Sequence, residues 1–244
     1  MPHFIINSAI VNAGKIVVAD KELYKHIAKV LRAKQGEKVI FIDENEIQYV
    51  TEVENITSDK IYTKVVDSYK SERKLYIELY LAQGVLKTDA QFSILQKATE
   101  LGVKGIIPLY TDNCTLKENF IKSKIDKWQK IVFESVKQCE RADIPKVFPL
   151  SNLDEITLNK KFDIIVAFVE RDAEGTLKEY FKTIDVKNKT ILAIIGPEGG
   201  FSDREFDFFE RHNIKKITLG NLIYRADTAA VVALSNLIYE VSNS

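Results

Sequence analysis

From residue 76 onward the chain alternates short aliphatic runs with amphipathic helical stretches, and few folds accept that alternation. Tyr76–Ala82 reads as an apolar strand, and Thr88–Leu101 as a helix turning Phe92, Leu95, Ala98 and Leu101 inward. A strand at Gly105–Tyr110 precedes a long helix, Ser123–Cys139, that carries Trp128, Ile131, Val132 and Val136. Strands recur at Asp163–Val169, Thr190–Ile195 and Lys216–Leu219, with helical stretches near Leu177–Thr183 and Asp203–His212 between them. Thr228–Val241 closes the pattern as an apolar helix. Such alternation predicts a mostly parallel sheet covered by helices on both faces.

The first 70 residues read differently. Short β-branched and aromatic runs at His3–Asn7, Lys15–Ala19, Lys38–Asp43, Ile47–Val53 and Lys60–Val66 are separated by turn residues such as Asn12-Ala13-Gly14. One helix interrupts them, with Asp20 as N-cap and Leu23, Ile27, Val30 and Leu31 at helical spacing. Strands this short and this frequent predict a small barrel. The polar stretch Asp67–Lys74 is the expected boundary, giving units at 1–70 and 74–244.

Composition narrows the chemistry. Thirty-five basic residues balance 35 acidic ones and the pI is near 6.9, which argues against tight non-specific nucleic-acid binding but leaves room for a local basic patch. No apolar run approaches the ~20 residues of a membrane helix, and Met1–Asn7 reads as a first strand rather than a leader. Cys114 and Cys139 form no CxxC pattern, and His3, His26 and His212 are scattered. The reading is therefore a cytoplasmic protein with reduced thiols and no metal.

Three of the ten glycines fall between Gly196 and Gly200, where a buried strand runs into a turn. Ser202 and Glu205 have capping-box spacing, so the turn is expected to end at a helix N-terminus. Glycines there either make a tight turn or bring bare backbone to a ligand, and ligands of open parallel sheets sit at strand carboxyl ends. The spacing is neither GxGxxG nor a P-loop, and GxSxG is absent. A second strand-end loop, Leu219–Arg225, precedes the last helix, for which Asp227 or Thr228 is the expected N-cap. Arg225 is either a surface arginine or the group that faces an anionic partner.

GPEGGFS at 196–202, followed by LG-x-x-I-x-R-x-D-T-A at 219–229, resembles the signature of the RsmE family. These SPOUT-superfamily methyltransferases modify N3 of a uridine in 16S ribosomal RNA. His26 with Val30-Leu31-Arg32, QKATELGV at 96–103, WQKI at 128–131 and Gln138-Cys139-Glu140-Arg141 extend the resemblance, in the right order, from residue 26 to the last helix.

The resemblance implies an α/β SPOUT methyltransferase domain with a trefoil knot and mostly parallel sheet, preceded by a small PUA-like β-barrel that binds RNA. It also implies S-adenosylmethionine as cofactor, 16S ribosomal RNA or the small ribosomal subunit as partner, and a homodimer. Carried over, Ile195, Gly196, Gly199, Gly200, Leu219, Gly220, Leu222, Ile223 and Tyr224 line the cofactor pocket, with Thr228 and Ala229 opening the helix beside it. Leu222 stands where relatives commonly have arginine, Tyr224 where they have leucine, and Asp227 where they have glutamate. Arg225 is expected to stabilise charge on the uracil oxygens. Asp227 is expected to orient Arg225, to help remove the proton or simply to cap the helix. Glu198 reads as a hydrogen-bonded turn residue in preference to a carboxylate facing the sulfonium. His26, Lys29 and Arg32 form a candidate RNA-facing edge, as do Lys97, Gln138 and Arg141, although Lys97 with Glu100 also reads as a solvated pair. A methyltransferase of transfer RNA or of a ribose 2′-oxygen, and a catalytically silent RNA-binding relative, are the alternative readings.

Overall fold

The computed structural model describes residues 3–70, 75, 77–139, 141–158 and 162–242. Tyr76, residues 71–74 of the expected boundary, and Glu140 of the Gln138–Arg141 stretch lie outside them. The chain divides into two compact units, residues 1–74 with 136–143, and residues 75–135 with 144–244.

The first unit carries β1 (His3–Ile5), β2 (Val11–Asn12), β3 (Lys15–Val18), β4 (Lys38–Ile42), β5 (Ile47–Ile56) and β6 (Ile61–Lys70). They form one mixed sheet in the order β1-β4-β5-β6-β3-β2, in which β1 runs parallel to β4 and the other pairs are antiparallel. Ala13 and Gly14 join β2 to β3 at φ 48° and 74°, the two positive values that a two-residue hairpin turn with the right twist requires. Register shifts at Val50/Thr51 and Val53/Asn55 mark bulges, which bend the long β5–β6 pair. Alternate residues of these strands, among them Phe4, Ile16, Val18, Phe41, Val53 and Ile61, close one apolar core.

The helix of this unit departs from expectation. Asp20 caps it as foreseen, accepting a bond from the Leu23 amide at 2.8 Å, but only α1 (Lys21–Tyr24) is α-helical. Residues Lys25–Val30 continue as a π turn, with the Leu31 amide donating to the His26 carbonyl five residues back at 2.9 Å. The wider turn rotates later side chains out of the α-helical phase. Ile27 therefore stays buried, whereas Val30 and Leu31, which share its helical spacing in the sequence, are 64% and 42% exposed. Arg32 then ends the segment in the left-handed region, φ 55°.

The second unit contains β7 (Glu78–Gly84), β8 (Gly105–Leu109), β9 (Lys146–Val147), β10 (Ile164–Phe168), β11 (Gly175–Thr176), β12 (Thr190–Ile195) and β13 (Lys215–Thr218). All their pairings are parallel, in the order β11-β13-β10-β12-β7-β8-β9. Its helices are α2 (Thr88–Glu100), α3 (Glu118–Lys122), α4 (Ile125–Cys139, whose end belongs to the first unit), α5 (Leu153–Leu158), α6 (Leu177–Phe181), α7 (Asp203–Arg211) and α8 (Ala226–Ser242). Strand alternation builds two cores. Ile191, Ala193 and Ile195 pack with residues of α2, α4, α6 and α8, while Leu192 and Ile194 face Phe206, Phe208 and Phe209 of α7. Phe209 is fully buried, and Phe209→Ala is expected to cost about 3–5 kcal/mol in a urea unfolding titration.

Strand order places the site. β12, late in the sequence, inserts between β7 and β10, so the order reverses there and the carboxyl ends of β7, β12, β10 and β13 lie side by side. Such a switch point is where open parallel sheets bind ligands.

Candidate functional site

The first loop leaves β12 at Ile195. Gly200 turns back at φ 67°, its amide donating to the Pro197 carbonyl at 3.0 Å, and the chain enters α7 through the foreseen capping box. Ser202 Oγ accepts from the Glu205 amide at 3.2 Å, and Glu205 Oε2 accepts from the Ser202 amide at 2.8 Å. Ser202→Ala is expected to lower stability by about 1 kcal/mol in the same unfolding titration. Asn113 Nδ2 donates to the carbonyls of Gly199 and Gly200 at 3.0 and 3.2 Å. Glu198 is a turn residue, its Oε1 accepting from the Lys87 amide at 3.1 Å.

Beneath this loop lies a residue that the sequence pattern did not single out. Gly84 ends β7, and a Cβ there would sit 2.4 Å from the Pro197 nitrogen and 2.7 Å from the Gly196 carbonyl carbon. Only a residue without Cβ lets the two backbones approach this closely. Gln83 straps them together, donating through Nε2 to the carbonyls of Gly84 and Gly196 at 3.0 and 3.1 Å.

The second loop follows β13. Gly220 adopts φ 111°, bracketed by the Thr218 hydroxyl, which accepts from its amide and donates to its carbonyl. From Asn221 to Tyr224 no backbone amide or carbonyl is hydrogen-bonded among the described residues. Leu222 and Ile223 are 71% and 86% exposed, so this stretch presents both open backbone and apolar side chains. The helix begins earlier than expected, at Ala226, with the Ala229 amide bonded to the Arg225 carbonyl at 2.7 Å. Arg225 therefore occupies the cap position, and neither Asp227 nor Thr228 does. Asp227 lies in the first turn, where the helix dipole favours its charge, and its Oδ1 accepts from the Thr228 amide at 2.9 Å.

A cavity of about 680 Å³ joins the loops. Ile195, Gly196, Gly199 and Gly200 line it from one side, and Ile223, Tyr224, Arg225, Asp227 and Ala229 from the other. An adjoining cavity of about 420 Å³ takes Leu219, Gly220 and Leu222, and shares Phe168, Glu170, Ile223, Tyr224 and Ala229 with the first. Thr228 is exposed and outside the lining of both. A third hollow, of about 630 Å³, is lined by Lys87, Thr88, Asp89, Ala90, Ser93, Arg225 and Asp227. Arg225 and Asp227 thus face both the loop cavity and this hollow. The Arg225 guanidinium makes no hydrogen bond or ion pair among the described residues, so it is not tethered to Asp227.

The cavities suit a nucleoside cofactor of this size class, with glycine-spaced backbone on one side and unpaired backbone with apolar side chains on the other. Leu86, Ala90, Phe168 and Glu170 are further lining residues that motif reasoning missed. They reach the site from the end of β10 and the residues just after it, and from the β7–α2 loop and the first turn of α2, and no short motif marks them.

The candidate RNA contacts differ in character. His26, Lys29 and Arg32 are exposed along the π turn, and Gln138 is exposed at the end of α4. Lys97 pairs with Glu100 at 2.9 Å, the solvated pair that its spacing also allowed. Arg141 is only 8% exposed, and its guanidinium grips Asp143 through Nε at 3.0 Å and Nη2 at 2.8 Å. That geometry gives Arg141 a structural tie within the first unit. Among the described residues no cluster of side chains could hold a metal ion, and no helix is long and apolar enough to cross a membrane.

Known proteins resemble this chain in sequence and in fold. Residues 73–238 match the family model of an RNA methyltransferase domain, and residues 19–66 that of an RNA methyltransferase PUA domain. Ribosomal RNA small subunit methyltransferase E of Mesomycoplasma hyopneumoniae is 33% identical over 212 residues, which cover 86% of this chain and 88% of that protein. Its counterpart in Bacillus subtilis is 28% identical over 221 residues, covering 88% of this chain and 86% of that protein. A Legionella pneumophila structure, described as a methyltransferase with bound cofactor SAM, superposes with a TM-score of 0.81 at 25% identity and covers 96% of both chains. With the motifs, the parallel sheet and the paired strand-end loops in agreement, the chain belongs to the RsmE family of ribosomal RNA small subunit methyltransferases.

Proposed function

We propose that the chain methylates N3 of a uridine in 16S ribosomal RNA, using S-adenosylmethionine held between the two strand-end loops. The observation that carries this reading is the cavity of about 680 Å³ whose walls are those loops and whose rim holds Arg225. S-adenosylmethionine, when bound, supplies a methyl group on a sulfonium. The protein's part is to position the reactants, exclude water and manage the uridine proton.

The backbone of Ile195, Gly196, Gly199 and Gly200 forms one wall for the cofactor, and Leu219–Tyr224 with Ala229 forms the other. Thr228 supports the first turn of α8 from outside the pocket. The hollow shared by Arg225 and Asp227 receives the uracil. There the free Arg225 guanidinium stabilises negative charge on the uracil oxygens as N3 loses its proton, and Asp227 adds a carboxylate at the same rim. Residues 1–70 hold RNA through the edge formed by His26, Lys29 and Arg32, and residues 74–244 carry the chemistry. Lys97 and Gln138 offer further polar contacts to RNA, whereas Arg141 acts by shaping its own turn. The working form is a cytoplasmic homodimer.

Titration calorimetry with S-adenosylmethionine, followed by transfer of a labelled methyl group to small ribosomal subunits, tests the proposal. Saturable binding and one methyl per subunit are expected. A protein that binds the subunit without taking up the cofactor would be a silent RNA-binding relative instead.

A further inference from the structure

We propose that Glu170 is a specificity-determining residue of this site. Its carboxylate faces the cationic part of S-adenosylmethionine and makes the site prefer the charged methyl donor over its neutral-sulfur product. The inference rests on the cofactor reading above and adds a residue that no motif marks.

Position comes first. β10 lies between β12 and β13, with Phe168 paired to Ile195 on one side and Ile217 on the other. A residue just beyond its end therefore emerges between the two loops, and Glu170 lines both loop cavities. The glycine loop is shaped around it, because a Cβ on Gly200 would lie 2.7 Å from Glu170 Oε1. Gly200 thus does two jobs. It supplies the left-handed turn, and its bare Cα leaves space for this carboxylate.

Availability comes second. No hydrogen bond or ion pair engages the Glu170 carboxylate among the described residues. Its chain neighbour Arg171 is directed to Asp203 at 2.7 Å and to Asp172 at 3.3 Å. Glu198, the other glutamate of the site, is tied to the Lys87 amide. Of the three carboxylates that line the loop cavities, Glu170 is the one that accepts no hydrogen bond among the described residues.

Charge comes third. Glu170, Glu198 and Asp227 line the two cavities against Arg225 alone, so the lining is net negative. An enzyme of anionic RNA gains nothing for its substrate from that sign. A cofactor bearing both an ammonium and a sulfonium does gain, and it gains more than the product that has lost the sulfonium charge.

Calorimetry on wild type, Glu170→Gln and Glu170→Asp tests this, with three probes: S-adenosylmethionine, S-adenosylhomocysteine and sinefungin, which carries an ammonium in place of the sulfonium. Wild type is expected to prefer the two cationic probes. Glu170→Gln should cut that preference about fivefold, the worth of one partly exposed charge pair, because S-adenosylhomocysteine, which keeps only the ammonium, loses less affinity than the two probes charged at the sulfonium position. Glu170→Asp should retain the preference. Equal losses for all three probes, or an unaltered preference in Glu170→Gln, overturns the assignment. Absence of binding by wild type to every probe would refute the cofactor reading itself, a different result from either.

Discussion

Gly84→Ala is expected to lower affinity for S-adenosylmethionine about a hundredfold while leaving the protein folded. The added methyl would meet backbone on the far side, 2.4 Å from the Pro197 nitrogen and 2.7 Å from the Gly196 carbonyl carbon. Neither atom can rotate away as a side-chain terminus would, so relief requires displacement of the loop itself. β7 and β12 are locked in register below, with Gln83 opposite Ile195, and the Gln83 amide bonds both glycine carbonyls. The strain therefore passes into the Gly196–Gly200 segment. Overpacking of this kind costs about 1–3 kcal/mol, too little to unfold a core of this extent. Where the cofactor needs the wild-type loop position, a strain of about 3 kcal/mol returns as a roughly hundredfold loss of affinity. Calorimetry for the cofactor, with a thermal melt as the control for folding, separates the two effects. Unchanged affinity would mean that this approach of backbones does not shape the pocket.

Arg225→Ala is expected to act on turnover instead, lowering the methylation rate about 10²–10³-fold, as loss of a transition-state donor does. Cofactor affinity should stay within about twofold, since the proposed cofactor walls offer mainly backbone and apolar groups. The argument rests on placement. Arg225 occupies the cap position of α8, where a cation is disfavoured by the dipole, and its guanidinium has no partner among the described residues. A cation kept there against the local field, lining two adjoining hollows, is placed as the proposed role requires. Single-turnover methyl transfer checks the prediction. Wild-type rates in the variant would remove Arg225 from the chemistry.

Much of the α/β unit was legible because its signals are long. Thr190–Ile195 is a six-residue apolar strand, Thr88–Glu100 a full amphipathic helix, and Ser202 with Glu205 a cap with a known spacing. β9 and β11 are two residues each and carry no periodicity, so only their neighbours define them. The π turn at Lys25–Val30 was hidden because Leu23, Ile27, Val30 and Leu31 fit α-helical spacing equally well. The start of α8 was misplaced by the polar pair Asp227-Thr228, which looks like a cap but lies within the first turn.

Within the site, the glycines and Arg225 stood out through motif context. Gly84 did not, because its role is a contact with a segment more than a hundred residues away and nothing adjacent signals it. Glu170 was invisible for the same reason, since its meaning depends on β12 entering the sheet between β7 and β10. Arg141 illustrates the opposite error. A motif arginine looks available in sequence, and the fold closes it on Asp143.

The most direct measurement is nucleoside mass spectrometry of small-subunit ribosomal RNA, isolated from cells lacking this protein and incubated with the purified protein and S-adenosylmethionine. The account expects one new 3-methyluridine per 16S RNA, absent when Arg225→Ala replaces the wild type. Methyl groups on a ribose, or no methyl incorporation by a protein that binds the cofactor, would contradict it.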